Sequence, residues 1–324
     1  MSRKPLLLFW AVVATSLFCG CRTWHQAPDE ALIREPGHRT YEEPVSVEKE
    51  ARLHWEFALL SEVAYLEVEE TDAQQRSDNN GNTKSAITLN DGITPCPSPA
   101  FTLDRAEWGR WKEFPNPRLA EAMKESNLRA EVWEKKGSSM VVVAFGGTVF
   151  NSGKDWKSNL RWFLPTHNDE YTLLVKELVP AFTTEFRRRA SSNEAEIPKI
   201  YATGHSLGGG LAQEFAYALP EKPDGLRVEA VFAFDPSPVT GYYSVDKQVR
   251  DRGKENLVIE RVFERGEILA ALRSLLALLY PPSASEPTIR TVRYNFDGPT
   301  NPVSAHSMPR LACRLAESAN APMK

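Results

Sequence analysis

The stretch YATGHSLGGGLAQEFAYALP, residues 201–220, places a serine among four glycines where an apolar segment gives way to an amphipathic one. The residues before the serine are typical of a buried strand, and the spacing after it predicts a helix. A nucleophilic serine at such a turn sits in a strained backbone conformation that presents its hydroxyl. Gly204 and Gly208 would let the neighbouring backbone approach closely. The spacing therefore indicates a nucleophilic Ser206, against the alternative of an ordinary glycine-rich turn.

Strand and helix patterns alternate around this turn. A first helix is expected to begin near Val47, and residues 71–99 are polar enough to predict a long surface loop. Strand and helix in turn, joined by crossovers of this length, indicate a mostly parallel central sheet with helices on both faces. The predicted strands cover residues 128–136, 139–147, 199–204, 227–238 and 256–266. The later predicted helices cover residues 171–190, with a kink at Pro180, 207–220 and 267–280.

Composition sets the class of protein. The 324 residues are 42% hydrophobic and 25% charged, which is ordinary for a globular chain and sufficient for one sizeable core. The formal net charge of -4 provides no basic field for gripping a phosphate backbone. These values predict one catalytic-size domain and argue against nucleic acid as a partner.

The N-terminal residues have the pattern of an export signal. Arg3 and Lys4 precede an apolar run, and residues 18–21, FCGC, resemble a bacterial lipobox in which Cys21 receives lipid. An ordinary cleaved signal or an anchor helix is the alternative. We expect a signal peptide at 1–20, a tether at 21–46 and an α/β-hydrolase domain at 47–324. The protein would be exported and held at a membrane surface by lipid, in the outer membrane or periplasm of a Gram-negative cell, or else secreted.

The two cysteines outside the signal region are relevant to the redox environment of the protein and to metal binding. Cys96 and Cys313 either form a bridge in an oxidising compartment or remain two free thiols. The sequence contains neither a CxxC pair nor HExxH, so we expect no metal site.

A nucleophilic serine needs a base and an acid. In the α/β-hydrolase arrangement the chain order is nucleophile, acid, histidine, and His306 is the sole histidine beyond Ser206. His205, next to the nucleophile, is expected to pack or hydrogen-bond behind the site. Candidate acids are Asp235, Glu267 and Asp297. Most other acids in this half of the chain are expected to be solvated.

An ordered series of motifs resembles the class 3 lipases, the fungal-type lipase group of the α/β-hydrolase superfamily, over roughly residues 47–315. GHSLGG resembles the family's nucleophile turn, and SAHSMPRL its histidine segment. VVVAFGGT resembles the oxyanion strand, with Gly146 where the family usually has arginine. The other matching segments are DWKSNLRWFLP at residues 155–165, similar to the lid, and RVFERGEIL at residues 261–269, similar to the stretch around the acid.

The resemblance implies roles by position. Ser206 would be the nucleophile and His306 the base; Glu267 would be the acid in place of the family's aspartate, with Asp235 as the alternative. Thr148 and Leu207 would supply backbone N–H groups to the oxyanion. The implied lid residues are Trp156, Leu160, Trp162 and Phe163.

The activity implied by the resemblance is that of a serine carboxylic-ester hydrolase acting on lipid acyl esters, with no cofactor. Its partners would be a lipid or ester substrate and a membrane surface reached through the N-terminal lipid. Two alternatives stay open: a phospholipase acting on membranes, and a surface lipoprotein that keeps the hydrolase fold without catalysis.

Overall fold

The computed structural model describes residues 26–66, 71, 96, 98–147, 169–191, 197–220, 225–270, 273, 281–296, 298 and 301–321. Several predicted features fall outside these residues: the signal peptide, the lipidated Cys21, Asp297, the oxyanion residue Thr148, and the lid residues Trp156, Leu160, Trp162 and Phe163.

Within the described residues, nine strands form one mixed sheet in the order β2-β1-β9-β8-β7-β6-β5-β4-β3. Neighbouring strands from β5 to β9 run parallel, and the pairs toward both edges run antiparallel. The strands are β1 Glu30–Arg34, β2 Val45–Ser46, β3 Trp108–Arg110, β4 Ala130–Lys135, β5 Met140–Phe145, β6 Lys199–His205, β7 Val228–Phe234, β8 Val258–Glu264 and β9 Thr288–Tyr294.

Helices cover both faces of this sheet. The described helices are α1 Val47–Val63, α2 Pro99–Arg105, α3 Pro117–Glu125, α4 Asp169–Leu173, a π-helix Leu174–Leu178, α5 Val179–Ser191, α6 Leu207–Ala218, α7 Lys247–Lys254, α8 Pro302–Ala305 and α9 Met308–Ser318. One core lies between the sheet and α1, α2 and α9, and the other lies between the sheet and α3, α5 and α6. A parallel sheet buried on both faces, with the serine turn between β6 and α6, is an α/β-hydrolase fold.

Three helices begin with the same local sequence, a polar cap followed by proline. Ser98 accepts a hydrogen bond from the Phe101 N–H, and Asn116 accepts one from the Leu119 N–H. Asn301 likewise accepts from Val303 at the start of α8. The cap satisfies an N–H that has no partner within the helix, and proline at the first helical position loses none. The short α8 is therefore fixed by its own sequence, directly before His306.

The segment expected to be a tether is part of the sheet. β1 pairs with β9, and its residues Ala31, Leu32 and Ile33 are all buried. The Gln26 side-chain amide donates to the backbone oxygen of Arg293 at 2.9 Å. The prediction of a tether is therefore wrong for residues 26–46: three consecutive apolar residues add an edge strand, which the scattered prolines around them conceal.

The other predicted elements agree with the structure to differing extents. The predicted strands correspond to β4 to β8, and the helix expected near Val47 is α1. The helix predicted at 171–190 spans α4 to α5, and the π-helix ends just before Val179 and Pro180. Proline supplies no N–H and clashes with the carbonyl four residues earlier, which is the local disturbance that the sequence predicted as a kink. Most of the helix predicted at 267–280 lies outside the described residues.

The two cysteines left open by the sequence are bonded. Cys96 and Cys313 form a disulfide with a Cα–Cα distance of 5.9 Å, so the alternative of two free thiols is wrong. The bond joins the segment before α2 to α9. Among the helices that the structure describes, none is both long enough and apolar enough to cross a membrane.

Candidate active site

Ser206 occupies the turn between β6 and α6 in a strained conformation. Its φ of 56° and ψ of -121° lie in a region that non-glycine residues rarely adopt. The surrounding backbone holds it there: the Ser206 N–H donates to Phe234 O at 2.9 Å, and Ser206 O accepts from the N–H of Gly209 and of Ser237. Two of these bonds join the serine to the end of β7 and the segment after it, and the third lies within the first turn of α6, so the hydroxyl is presented in one direction.

The glycines of this turn are required by close backbone contacts. A Cβ on Gly204 would collide with the Gly208 carbonyl, and a Cβ on Gly208 would collide with the Phe145 carbonyl at the end of β5. A Cβ on Gly209 would lie 2.9 Å from Pro236 Cβ. These three glycines thus allow the ends of β5, β6 and β7 to approach the serine closely.

His306 lies at the C-terminal end of α8 and faces the serine. Its Nε2 lies 3.1 Å from Ser206 Oγ, and its Nδ1 lies 2.9 Å from Glu267 Oε2. The carboxylate accepts only, so Nδ1 carries the proton and Nε2 is free to accept from the hydroxyl. All three side chains are buried. The structure therefore brings the predicted Ser206, His306 and Glu267 into one hydrogen-bonded chain.

Glu267 follows β8 and is held by more than the histidine. Its Oε2 also accepts from the Leu269 N–H at 2.9 Å, and its Oε1 accepts from the guanidinium of Arg273. Arg273 in turn donates to Pro236 O at 3.0 Å and lies over the Phe263 ring. The extra methylene of glutamate, compared with aspartate, is accommodated in a turn that fixes both carboxylate oxygens.

Asp235, the alternative acid, lies at the end of β7 and is fully buried. Its Oδ1 accepts from the Glu264 N–H at 3.3 Å and lies 3.6 Å from an Arg273 nitrogen. Burial, followed by the charge of Glu267, raises the pKa of Asp235 well above its usual range. Glu267, whose Oε2 lies 2.9 Å from His306 Nδ1, is the carboxylate positioned to balance an imidazolium, so the geometry favours Glu267 over Asp235.

His205 packs directly behind the base. Its ring centroid lies 4.7 Å from that of His306, and its Nδ1 lies 2.7 Å from the Tyr65 hydroxyl. The expectation that His205 packs or hydrogen-bonds behind the site is confirmed. Burial, followed by the neighbouring His306, lowers the pKa of His205 well below its usual 6.5. A neutral His205 places no second charge against His306.

Two residues of this site were not predicted from the sequence. Tyr65 follows α1 and bonds to His205, while Arg273 binds Glu267. The sequence contains one indication of a role for Arg273, since it is the single arginine within the apolar run of residues 267–280. The sequence offers no comparable signal for Tyr65, because its partner is 140 residues away.

Of the two residues predicted to bind the oxyanion, Leu207 is among the described residues and Thr148 is not. Leu207 is the first residue of α6, and the first N–H groups of a helix have no intrahelical acceptor. Thr148 lies outside, but Gly147, the residue before it, sits against the turn: a Cβ there would lie 2.7 Å from His205 O. At Gly146 a Cβ would collide with Ala64 O and lie 2.9 Å from Arg129 Cβ, so the backbone here leaves no room for an arginine.

Among the described residues, two groups of side chains have the spacing of metal ligands. His205, Asp235 and His306 offer atoms within 4.8 Å of one another. However, the two ring nitrogens of His306 are hydrogen-bonded to Ser206 and Glu267, so a metal there would break the chain. Cys96 and Cys313, near Glu317, are bonded to each other.

Comparison with known proteins finds a family model that matches part of the chain and solved structures that are similar to it. A family model described as "Phospholipase-like: Tle-like phospholipase domain" matches residues 112–224, which include β4 to β6 and the serine turn. No curated protein matches the chain. The family match and the site geometry together support hydrolysis of lipid esters.

The similar solved structures are fungal lipases. A fungal lipase–inhibitor complex, described as a model for interfacial activation, is 18% identical, with 72% of this chain and 74% of that chain covered and a TM-score of 0.40. The native Rhizomucor miehei lipase propeptide complex is 17% identical, with 78% and 67% covered and a TM-score of 0.38. A lipase from Rhizopus microsporus var. chinensis is 16% identical, with 72% and 70% covered and a TM-score of 0.39. The fold assignment rests on the strand order and the serine turn of this chain.

Proposed function

We propose that this protein is a serine hydrolase that cleaves carboxylic esters of lipid acyl chains. The observation that carries the proposal is the buried hydrogen-bonded chain from Ser206 Oγ through His306 to Glu267. A serine in a strained turn, hydrogen-bonded to a histidine that is itself oriented by a carboxylate, is the arrangement that activates a hydroxyl for acyl transfer.

The first half of the reaction forms an acyl-enzyme. Ser206 Oγ attacks the ester carbonyl while His306 Nε2 accepts the hydroxyl proton. Glu267 accepts from Nδ1–H and balances the positive charge of the imidazolium. His306 then returns the proton to the alcohol oxygen as the ester bond breaks. In the second half, a water molecule attacks the acyl group with the same proton transfers in reverse.

Negative charge on the carbonyl oxygen is stabilised at the start of α6. Leu207 provides a backbone N–H there, and the helix dipole adds a partial positive charge. Thr148, assigned by resemblance, would provide the second N–H. Loss of one such donor typically raises the barrier by about 3 kcal/mol.

Export and membrane attachment belong to the same proposal. The signal peptide and the lipid on Cys21 would place the enzyme on a membrane surface facing an oxidising compartment. The Cys96–Cys313 disulfide supports this location, because such bonds persist outside reducing cytosol. Trp156, Leu160, Trp162 and Phe163 would form a flap over the acyl site.

A phospholipase acting on membranes is the second candidate function. The match of residues 112–224 to a phospholipase-like family favours it. The two candidates share the same triad and differ in substrate, so one set of variants tests both.

The test is hydrolysis by the full chain of p-nitrophenyl esters from acetyl to palmitoyl, and of phospholipid vesicles. Ser206→Ala and His306→Ala should lower kcat by about 10⁴-fold or more. Glu267→Gln should also be severe, whereas Asp235→Asn should be mild, because Glu267 is the carboxylate that holds His306 Nδ1 and the amide keeps the shape of the Asp235 carboxyl. His38→Ala, at an exposed histidine, is the matched control.

The substrate profile assigns the function. Faster turnover of long-chain esters than of acetyl esters identifies a lipase, and release of fatty acid from the vesicles identifies a phospholipase. Absence of Ser206-dependent turnover on every ester and phospholipid, with detergent interfaces present, would overturn the proposal in favour of a non-catalytic lipoprotein.

A further inference from the structure

A cavity of about 440 Å³ lies beside the triad acid and, apart from Arg273, is lined by residues that the hydrolytic mechanism does not use. Its lining comes from β1, β8 and β9, from Tyr41, from the segment after β7, and from Gly266, Ala270, Arg273 and residues 281–283. A cavity of this size is in the range that holds a small organic ligand.

Four arginines line this cavity, and we call it the arginine pocket: Arg34, Arg261, Arg273 and Arg293. The lining contains one carboxylate, that of Glu264. Arg273 is already paired with Glu267, a carboxylate that does not line the cavity. Even with Glu264 fully ionised, the pocket therefore carries an excess of positive charge.

The strand register explains why the arginines converge. Alternate residues of a strand share a face, so Arg261 and Phe263 of β8 lie beside Thr291 and Arg293 of β9. Arg34 pairs with Thr291 at the end of β1. Three neighbouring strands thus each add a guanidinium to the same face of the sheet.

Two of the arginines lie over the same aromatic ring, and two donate hydrogen bonds to neutral side chains. The guanidinium carbons of Arg34 and Arg293 lie 4.4 Å and 4.7 Å from the centroid of the same Tyr41 ring. Arg261 donates to Gln213 Oε1 at 3.0 Å, and Arg293 donates to Gln26 Oε1 at 3.1 Å. These neutral partners orient the guanidinium groups without adding negative charge, and Glu264 is the one carboxylate of the lining that offsets part of their positive charge.

Three nitrogens of these side chains are buried and have no hydrogen-bond partner in the part of the chain that the structure describes: Nε of Arg34, Nε of Arg261 and Nη2 of Arg293. An unsatisfied buried donor is costly, and more so when it is charged. Burial lowers the pKa of Arg261 and of Arg293, and the charges of neighbouring arginines lower each further. An anion in the pocket would accept hydrogen bonds from these donors and would also offset the buried positive charge.

The rest of the lining combines hydroxyl side chains, those of Tyr41, Ser237, Thr240, Ser283 and Thr291, with an apolar set. Pro236, Pro238, Phe263, Ile289, Pro281 and Pro282 form the apolar set. We infer that the arginine pocket binds an anionic amphiphile, with a phosphate or carboxylate held by Arg34, Arg261 and Arg293 and an apolar chain held by the prolines, Phe263 and Ile289. Guanidinium groups suit either oxyanion, because both accept paired hydrogen bonds from the planar fork.

The test is calorimetric titration of the full chain carrying Ser206→Ala, which removes the nucleophile so that binding is measured apart from hydrolysis. The probes are n-hexyl phosphate, hexanoate, inorganic phosphate and hexanol. We expect one hexyl phosphate or hexanoate per chain, tighter than inorganic phosphate and hexanol. Tighter binding of hexyl phosphate than of hexanoate identifies a phosphate site, and the reverse order identifies a carboxylate site.

Variants locate the site. Arg34→Gln with Arg293→Gln, and separately Arg261→Gln, should each weaken binding by about tenfold or more, since each removes charge-assisted hydrogen bonds. Arg52→Gln, at an exposed arginine of α1 that pairs with Glu48, should bind as the parent does. Arg273 is left unchanged because it also holds Glu267.

The salt dependence of binding tests the inference without any pocket variant, so the test does not depend on whether the arginine variants fold. In the Ser206→Ala parent, binding of the anion should weaken as sodium chloride is raised, because the attraction is electrostatic. Binding that is insensitive to salt, equal for hexanol and hexyl phosphate, or unchanged in folded arginine variants would overturn the inference, as would no binding of either oxyanion. The ester assay of the unaltered enzyme is independent, so failure of the pocket and failure of the proposed hydrolase are distinguished.

Discussion

At the scale of single residues, buried carboxyl groups set the expected response to pH. Burial raises the pKa of Glu214 on α6 from its usual 4.5 to about 9, and that of Glu62 on α1 to about 8. Between about pH 4.5 and these values the folded protein keeps protons that the unfolded chain has released. The unfolded state then binds fewer protons, so stability falls as pH rises through this window.

Replacing Glu214 with glutamine tests this sign. The free energy of unfolding of the parent should fall from pH 5 to pH 9, and Glu214→Gln should reduce that slope by up to about 1.4 kcal/mol per pH unit. Urea denaturation at each pH gives both slopes. Glu229→Gln, at an exposed position of β7, should leave the slope as in the parent. Equal slopes for Glu214→Gln and the parent would contradict the prediction.

The sequence could not predict which acids are buried. Apart from the candidate catalytic acids, most acids in the second half of the chain are expected from the sequence to be solvated, yet Glu214 and Glu264 are buried. In α6 every residue after Leu207 is buried, so helical periodicity does not separate an inward face from an outward one. The choice between Asp235 and Glu267 was open for a similar reason: each follows a parallel strand, and only the positions of neighbouring strand ends show that Glu267 meets His306.

At the scale of elements, the strand-to-helix turn depends on glycines that admit no side chain. Gly208→Ala should destabilise the folded protein, because its Cβ would collide with Phe145 O at the end of β5. Gly109→Ala on β3 is the control, since the nearest atom to its Cβ lies at 3.9 Å. Thermal unfolding compares the two. A Gly208→Ala variant with the melting temperature of the parent would contradict this account of the turn.

The same turn explains how far the sequence predicts elements. Val141, Val142 and Val143 make β5 recognisable as a buried strand, and the glycine spacing makes β6 and α6 recognisable together. β9, TIRTVRY, was missed because the consecutive polar residues Arg290 and Thr291 interrupt the alternation that would predict a strand. Its arginines project from a strand that is paired on both sides, which local hydrophobicity does not reveal.

At the scale of the whole molecule, the sheet is completed by the segment that the sequence suggested was a tether. β1 covers the edge of β9, and Asn295 donates to Gln26 O at 2.6 Å. Without residues 26–46 the β9 edge would be exposed, together with the core surface that Ala31 and Ile33 contact. An uncovered edge strand pairs readily with other chains.

Two truncations separate the alternatives of tether and fold. A chain that begins at Gln26 should have the unfolding free energy of the full chain, whereas one that begins at Val47 should lose about 3 kcal/mol or more, because it gives up the burial of Leu32 and Ile33. Urea denaturation measures the loss, and light scattering should detect association of the shorter chain. Ile33→Asp in the full chain should reproduce much of the loss without removing any backbone. If the chain from Val47 proves monomeric and as stable as the chain from Gln26, then β1 contributes nothing to the fold and the segment is a tether after all.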